Sequence, residues 1–432
     1  TRRLAPRMVE HRARIFGATA PGIEARERAE DSILAQCDYR PGTLVWGCYG
    51  GQLELLGPSG YESQCYSRLI LAVGATDRLM PLPGWTLPGV FTLGGAQVAL
   101  KRHASFVGKR VVFAGASPLL YLAATQYLRL GHKNLTILDT TSLRHKARAF
   151  PGMLRHAPRT AFQGLRLMAE LRRAGVVMQS GITLEAVEGR AQVTGLRYRD
   201  ARGQSRRLEV DAVALGYGLR PETQLAELAG ARFAFDHRHQ HWFPEVDAMG
   251  RVGEDLWIAG DGARTAGAEA ADSAGWLAGE SVAQSLGHPS GDALQFAHHT
   301  RRLRAQRRFQ DAMTGAFRWP SARIAELPDD TMLCRCERVS LGEVRAALSA
   351  PLGPSEINRV KSITRCGMGR CQGRICGPAL AALVAEKTGE VGRLRAQAPI
   401  RPIPLVHDAD SLLPPQIPEV GFPPEQGKEA AT

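Results

Sequence analysis

Short apolar runs separated by glycine and proline are the first clear pattern along the chain. Such runs lie within residues 43–73 and are divided by Gly50-Gly51 and by Gly57-Pro58-Ser59-Gly60. Alternating apolar positions bounded by turn residues are typical of β-hairpins. The charged stretch before them has helical spacing over 24–36. The pattern therefore predicts an N-terminal helix followed by a hairpin-rich sheet.

A strand–helix–strand pattern follows. Residues 110–114 form a continuous apolar run, 118–130 have helical spacing with proline in the first turn, and 135–138 form a second apolar run. Apolar strands around a helix are typical of a parallel α/β sheet. A helix is predicted next over 162–174. Further strands are predicted over 176–179, 182–187, 193–198 and 208–215.

The last third of the chain has a different pattern. An apolar strand over 256–259 turns at Gly260-Asp261-Gly262 into a helix of small residues, and a long basic helix is predicted over 294–317. It leads to a cysteine-rich module at about 328–392. The tail beyond residue 396 contains many prolines. It is predicted to be extended, and either to dock on a neighbour or to remain loose.

Composition and charge narrow the function classes. The 432 residues are 44% hydrophobic and 22% charged, which is ordinary for a globular protein of two to four domains. No apolar run approaches the about 20 residues of a membrane span, and no apolar leader follows the first arginines, so a cytoplasmic location is predicted. The net charge of +13 comes mostly from scattered arginines, which argues against nucleic-acid binding. The basic segment 301–308 is interpreted as a solvated helix face, with an acidic-partner surface as the alternative.

Eight cysteines fall into two groups. Three are widely spaced and are predicted to be small buried residues: Cys37, Cys48 and Cys65. The other five crowd between 334 and 376 with the spacing C-x-C, then 29 residues, then C-x4-C. Such clustering in a cytosolic protein indicates metal or redox chemistry. Four thiolates on two loops can bind a 2Fe-2S cluster or zinc, although zinc usually prefers C-x2-C loops.

The surroundings of these cysteines favour iron and sulfide. The second loop, 365–373, is rich in glycine, so its backbone amides can approach the sulfurs closely. Five arginines flank the ligands and would offset an anionic cluster: Arg335, Arg338, Arg365, Arg370 and Arg374. The predicted ligands are Cys334, Cys336, Cys366 and Cys371. Cys376 is predicted to face a helical core, with substitution as a ligand as the alternative.

Two turns suggest nucleotide chemistry. Gly115 lies where a dinucleotide fingerprint belongs, but Ser117 and Leu120 replace the later glycines of G-x-G-x-x-G. A structural or repurposed Rossmann unit is therefore favoured over an NAD(P)H site, although the helix start would still attract an anion. Gly260-Asp261 suits a carboxylate that binds a ribityl hydroxyl of a flavin, and it also suits an ordinary Asp-Gly turn.

Motifs in both parts resemble known families. C-R-C-E at 334–337 and T-R-C-G-M-G-R-C-Q-G at 364–373 resemble the bacterioferritin-associated-ferredoxin-like 2Fe-2S module over about sixty residues. L-A-V-G-A-T-D-R at 71–78, the Gly115 turn and the Gly260-Asp261 turn, in this order, resemble a flavoprotein with two dinucleotide-binding domains. Together, over about 40–395, the chain resembles the A (alpha) subunit of opine oxidases and of heteromeric dehydrogenases acting on proline, hydroxyproline or glycine, the last of the cyanide-forming type.

The resemblance implies an α/β fold with a Rossmann-like body of two dinucleotide-binding domains and a small α-rich C-terminal 2Fe-2S module. It implies FAD as a second cofactor, and it transfers the four predicted cluster ligands. The implied nucleotide-binding residues are Gly74, Ala75, Thr76, Gly115, Gly260 and Asp261. It also implies a partner, a FAD-dependent β subunit of the amine or amino-acid oxidase type, with a small ferredoxin-like subunit as a further candidate. Through that complex the chain could attach peripherally to the inner face of the membrane.

One departure concerns the start of the chain. The family opens with a strand, G-x-G-x-x-G and a helix that cradle the FAD pyrophosphate, and nothing before Leu71 supplies them. The expectation is a truncated product or an incomplete FAD site. The predicted domains are a partial FAD-binding domain (1–105), a degenerate NAD-like domain (106–225), a return to the FAD-binding domain with a linker helix (226–327), the 2Fe-2S domain (328–395) and the proline-rich tail (396–432).

Three functions are weighed on this basis. The leading hypothesis is an electron-transfer subunit of an amino-acid or opine dehydrogenase, with no catalytic base of its own. The second is a self-contained NAD(P)H-dependent flavin and iron-sulfur reductase. The third is a non-enzymatic scaffold in which the cysteines only dock a partner or hold zinc.

Overall fold

The computed structural model describes residues 4–405. Its helices are α1 (Arg12–Phe16), α2 (Ala20–Leu34), α3 (Leu93–His103), α4 (Leu119–Arg129), α5 (Leu143–His156), α6 (Pro158–Arg173), α7 (Gln224–Leu228), α8 (Ala268–Ser285), α9 (Ala293–Ala316), α10 (Leu341–Ser349), α11 (Ile357–Thr364) and α12 (Gly377–Thr388). None of these helices is long and apolar enough to cross a membrane.

The strands form several small sheets around one larger one. They are β1 (Leu44–Tyr49), β2 (Gln52–Gly57), β3 (Gly60–Cys65), β4 (Leu69–Leu71), β5 (Ala75–Asp77), β6 (Val90–Thr92), β7 (Val111–Gly115), β8 (Leu135–Asp139), β9 (Val177–Ser180), β10 (Thr183–Gly189), β11 (Val193–Arg199), β12 (Ser205–Glu209), β13 (Ala212–Gly216), β14 (Leu219–Pro221), β15 (Phe233–Asp236), β16 (His241–Pro244), β17 (Leu256–Ile258), β18 (Met332–Cys334) and β19 (Val339–Ser340).

A five-stranded parallel sheet, in the order β6-β13-β7-β8-β9, forms the centre of the molecule. All five residues of β7 and of β13 are buried, as expected for strands whose two faces are both covered. The single strand predicted over 208–215 is wrong. The chain instead makes the exposed edge strand β12, breaks at Val210-Asp211, and then enters the central sheet as β13. The break lies where the Asp211 carboxylate accepts a hydrogen bond from the Arg110 amide at 2.8 Å.

Two smaller sheets join the central domain to the rest of the body. β4 and β17 pair in parallel and, within residues 4–405, make a sheet of two strands. β5 and β14 pair antiparallel, with Leu219 opposite Asp77 and Pro221 opposite Ala75. This second pair connects the two parts of the body, because β5 leads toward the central sheet and β14 leads away from it.

The cysteine-rich module, built from β18, β19 and α10–α12, shares its apolar core with the central sheet. The Trp85 indole donates to the Met332 carbonyl at 2.6 Å, and the buried Arg374 guanidinium pairs with Glu222 of the body. The start of the predicted tail lies on the body, since the Ile400 amide donates to the Trp46 carbonyl at 3.0 Å. The rest of the predicted tail, 406–432, lies outside the described residues.

Candidate iron-sulfur and nucleotide sites

Five cysteines converge where three chain segments meet. Cys334 ends β18 and Cys336 follows in the turn. Cys366 comes directly after Arg365, whose left-handed backbone (φ 62°) caps α11. Cys371 lies in the next loop, and Cys376 is the N-cap residue of α12. Cys334, Cys366 and Cys376 are buried, and the other two are half-buried. Of the three cysteines outside this module that were predicted to be buried, Cys48 is buried, but the prediction is wrong for Cys37 and Cys65, which are exposed.

The thiols form one continuous group. The Sγ atoms of Cys334, Cys366 and Cys376 all lie within 4.8 Å of one another, and Cys371 contacts both Cys376 and Cys336. All four predicted ligands are therefore brought together. Cys376 is buried as predicted, but its thiol joins the group instead of packing apart from it. A sequence signal for this exists, because the C-x4-C spacing of Cys366 and Cys371 is repeated by Cys371 and Cys376.

Hydrogen bonds favour the ionised form of two of these thiols. Burial raises the pKa of Cys336, and hydrogen bonding to Cys334 raises the pKa of Cys366 and of Cys376. Bonds from the thiols of Cys366 and Cys376 lower the pKa of Cys334 to about 2. A bond from Cys376 lowers the pKa of Cys371 to about 5. Backbone amides add to this, with Gly367 donating to Cys334 and Ile375 donating to Cys371. Amides aimed at sulfur are the usual means of stabilising an anionic iron-sulfur cluster.

The glycine-rich loop allows the two cysteine loops to approach. A Cβ added at Gly369 would lie 2.3 Å from the Cβ of Cys336, so any side chain there would push the loops apart. The arginines predicted to flank the ligands divide into two kinds. Arg374 is buried and paired with a carboxylate of the body. The other four lie around the module and are at least partly exposed: Arg335, Arg338, Arg365 and Arg370.

The Gly115 turn has a structural use for its glycine. A Cβ at this position would lie 2.1 Å from the Gly216 carbonyl oxygen, and its φ of 134° is one that other residues rarely adopt. The buried Ser117 hydroxyl accepts a hydrogen bond from the Leu119 amide at 3.2 Å, at the start of α4. One of the free backbone amides at the start of α4 thus already has a hydrogen-bond partner within the chain.

The carboxylate at the end of β8, Asp139, already has partners within the protein. In a dinucleotide-binding fold an acidic residue near this position binds ribose hydroxyls. Here the fully buried Asp139 forms an ion pair with Lys146 at 2.6 Å. It also accepts hydrogen bonds from the Tyr121 hydroxyl at 2.8 Å and the Thr141 amide at 2.7 Å. Burial raises the pKa of Tyr121, which keeps this donor protonated.

The segment after α9 fills the remaining space at this edge of the sheet. Trp319 packs edge-on against Tyr217, with ring centroids 5.9 Å apart, and the Arg78 guanidinium lies 4.0 Å above its ring. The cavities lined by Tyr217 at this edge measure about 70 and 250 Å³. Small-molecule sites usually measure about 300–1,000 Å³. Sequence reasoning did not identify this closure, because Trp319 is about a hundred residues from the strand it covers.

The remaining predicted nucleotide residues lie on two neighbouring loops. β4 leads into Gly74 and β17 leads into Gly260. A Cβ added at Gly262 would lie 3.7 Å from the Gly74 amide nitrogen, so the two loops are in contact. Ala75 and Thr76 follow in β5. The two motifs are therefore adjacent in the fold.

The fit of these loops to FAD is partial. The Asp261 carboxylate accepts bonds from the amides of Ala266 and Gly267, at 3.1 and 3.3 Å, just before α8. The buried Thr76 hydroxyl has no hydrogen-bond partner within the described part of the chain, as expected for a group that awaits a ligand. Residues 4–405 contain no strand–helix turn with G-x-G-x-x-G to hold the pyrophosphate. FAD binding is therefore not assigned to these residues alone.

Two family descriptions match the two parts of this chain. Residues 50–278 match the family described as pyridine nucleotide-disulphide oxidoreductase, and 332–386 match the BFD-like [2Fe-2S] binding domain. The chain is 36% identical to the A (alpha) subunit of opine oxidase from Rhizobium meliloti (strain 1021), over 93% of this chain and 89% of that protein. It is 31% identical to the HcnB subunit of hydrogen cyanide synthase from Pseudomonas aeruginosa, over 88% of this chain and 84% of that protein.

A solved structure shares the fold. L-proline dehydrogenase from P. horikoshii aligns with a TM-score of 0.61 at 19% identity, over 86% of this chain and 64% of that chain. The predicted fold class, a two-domain flavoprotein body with a C-terminal 2Fe-2S module, is confirmed by these matches.

Proposed function

This chain belongs to the family that includes the A (alpha) subunit of opine oxidase and the HcnB subunit of hydrogen cyanide synthase, and we propose that it is the electron-transfer subunit of a heteromeric amino-acid or opine dehydrogenase. A separate flavin subunit, of the FAD-dependent amine or amino-acid oxidase type, would oxidise the substrate. This chain would then pass the electrons to an acceptor. A small ferredoxin-like subunit is a further proposed partner. The observation that carries the proposal is the group of five thiols inside a 2Fe-2S binding domain.

The residues of the module fit a 2Fe-2S cluster, which when bound would supply one-electron transfer. Three proposed ligands are Cys334, Cys336 and Cys371, and the fourth is Cys366 or Cys376. Binding would remove the thiol protons that now form the sulfur–sulfur hydrogen bonds. The amides of Gly367 and Ile375 would continue to donate to sulfur and would stabilise the added negative charge.

The body supports this role more than a self-contained NAD(P)H reductase. Asp139 is paired with Lys146, and Trp319 covers the edge of the sheet where a dinucleotide would lie. Both features favour electron entry from a partner over hydride entry from a nicotinamide. FAD near Gly74, Thr76 and Asp261 is proposed as the second cofactor. The proposed location is cytoplasmic, with attachment to a membrane only through the complex.

Spectroscopy on the reconstituted complex tests the proposal. The chain is purified without oxygen, alone and after co-expression with a neighbouring flavin-subunit gene, and proline, glycine or opines are added. We expect the electron paramagnetic resonance signal of a reduced 2Fe-2S centre with dithionite in both samples, and with substrate only in the complex. Zinc without a signal would favour the scaffold. Reduction of the isolated chain by NADH would favour the reductase.

A further inference from the structure

A cavity of about 450 Å³ lies between the β5–β14 strand pair and the 2Fe-2S module. Arg78, directly after β5, and Arg220, in β14, line one side of the cavity. Gln372 and Gly373 of the module, directly after Cys371, line the other. The cavity volume lies in the lower part of the range for small-molecule sites. It is therefore large enough for one small ligand next to the cysteine loop.

The wall of this cavity carries buried positive charge without a matching carboxylate. Arg78 is 5% exposed, and its guanidinium donates to the carbonyls of His239 and Gln240, at 3.2 and 2.7 Å, and lies against one face of the Trp319 ring. Arg220 donates to the carbonyls of Gly373 and Arg374. Within residues 4–405 neither guanidinium forms an ion pair, and the buried Nε of Arg78 has no hydrogen-bond partner.

Two of the nearby acidic residues are already paired with other arginines. Glu222 binds Arg374, and Glu227 binds Arg393 at 2.7 Å. Glu386 also lines the cavity but is exposed at its rim. Burying an ionised group without a partner is costly, and in proteins such groups are normally paired or ligand-bound. The buried Arg78 and the half-buried Arg220 therefore lack an anion that would offset their charge.

The same cavity presents flat apolar surfaces and an unused acceptor. Trp319, Trp242 and Phe235 line it. The Oε1 atom of Gln224 is buried without a hydrogen-bond partner in the described residues, while its amide group donates to the Gln372 carbonyl. Indole rings bind planar rings by stacking, and guanidinium groups bind phosphate oxygens in pairs.

We infer that this cavity binds a phosphate-bearing planar ring of the size of one mononucleotide, with the phosphate on Arg78 and Arg220 and the ring against Trp242 and Trp319. The ligand would lie beside the Cys371 loop and across the joint between body and module. It would occupy a place separate from the Gly115 turn and from the Gly74 and Gly260 loops. The inference does not depend on the proposed substrate or partner.

Binding to the full-length chain tests this inference. Calorimetry and tryptophan fluorescence are recorded with AMP, GMP and flavin mononucleotide, with the corresponding nucleosides, and with inorganic phosphate. We expect at least one monophosphate to bind at least tenfold more tightly than its nucleoside. Arg78→Gln and Arg220→Gln should each weaken that binding tenfold or more. Arg238→Gln, at an exposed arginine in the turn between β15 and β16, should leave it unchanged.

Arg220 also donates to the carbonyls of Gly373 and Arg374, so Arg220→Gln could fail to fold. A second variant that blocks the cavity sterically keeps the test valid in that case. Ala385→Phe on α12 would fill the cavity while both arginines remain, and it should abolish binding. Three results would overturn the inference: no monophosphate binds better than its nucleoside, phosphate alone binds as well as every monophosphate, or binding survives in both Arg78→Gln and Ala385→Phe.

Discussion

The cysteine loop requires a glycine at Gly369 and the strand–helix turn requires one at Gly115, but the two glycines have different structural roles. At Gly369 it lets two cysteine loops approach so closely that five thiols meet. At Gly115 it lets two strands approach, with the carbonyl of Gly216 in the place where a side chain would lie. The first site keeps its polar groups available for a ligand. The second is satisfied by Ser117 and closed by Trp319.

The contrast shows that a local sequence motif indicates the backbone conformation, but it does not indicate whether a ligand or other parts of the protein fill the adjacent space. A turn from strand to helix at Gly115 is compatible with a dinucleotide or with a closed core. The neighbours decide between them, since the pairing of Asp139 with Lys146 removes the group that would bind ribose. Four experiments test this contrast, and the one with the greatest expected change is given first.

Loss of one central thiol should have the largest effect. Cys371→Ser should lower bound iron by at least about tenfold, since even changes beyond the ligands cost about 10–100-fold in metal affinity. Iron analysis and the intensity of the resonance signal measure it. The exposed Cys37 provides the matched control, Cys37→Ser.

The same measurement identifies the fourth ligand. Of Cys366→Ser and Cys376→Ser, one should behave like Cys371→Ser and the other should keep most of its iron. Full iron in Cys371→Ser, or in all of the variants, would show that the thiol group is not the cluster site.

The joint between module and body should be the next most sensitive. Arg374→Met leaves Glu222 buried without its partner, and the two side chains are only 6% and 10% exposed. Breaking a buried pair in this way costs about 3–5 kcal/mol. Urea unfolding measures the change. Arg110→Met, which removes a pair on the surface with Glu209, should have a much smaller effect, and equal losses would contradict the buried joint.

The two glycines should separate stability from metal binding. Gly115→Ala should lower the free energy of unfolding by at least about 1–3 kcal/mol, because the residue has a strained backbone and no space for a Cβ. Gly369→Ala should instead lower the iron content while the unfolding of the metal-free body changes little. Calorimetry and iron analysis of both variants decide this. The reverse pattern would show that the roles are exchanged.

The smallest effect is expected in the hairpin formed by β15 and β16. Asp236 has a pKa lowered to about 2, because hydrogen bonds from His239 and the charge of Arg264 outweigh the opposing effect of burial. Its folded pKa lies below the unfolded value of 3.8, so the stabilisation is present above about pH 4 and is lost as the pH falls toward 2. It amounts to about 1–2 kcal/mol.

Asp236→Asn should remove that part of the acid dependence in urea unfolding between pH 5 and pH 2, on the order of 1 kcal/mol. Asp200→Asn, at a surface turn, is the comparison. An unchanged acid profile in Asp236→Asn would mean that the carboxylate does not hold the hairpin.

Several features could be predicted from the sequence because they depend on neighbours in the chain. Alternating apolar residues predicted the sheet of β1–β3, and a continuous apolar run with proline after it predicted β7 and α4. The spacing of the cysteines predicted a metal site. Even so, no helix was predicted over 143–156, where α5 forms with Pro151 inside it, because proline in a helical pattern normally ends the helix.

The type of most elements, the α/β class and the thiol-rich module follow from periodicity, turn residues and spacing in the chain. What each site can hold depends on contacts made in the folded protein. Cys376 joins the thiols because the start of α12 lies against β18. Trp319 packs on Tyr217 and fills the space beside the Gly115 turn, whereas Arg78 and Arg220 line the cavity beside the 2Fe-2S module. These contacts join residues that are far apart in the chain, so no local pattern records them.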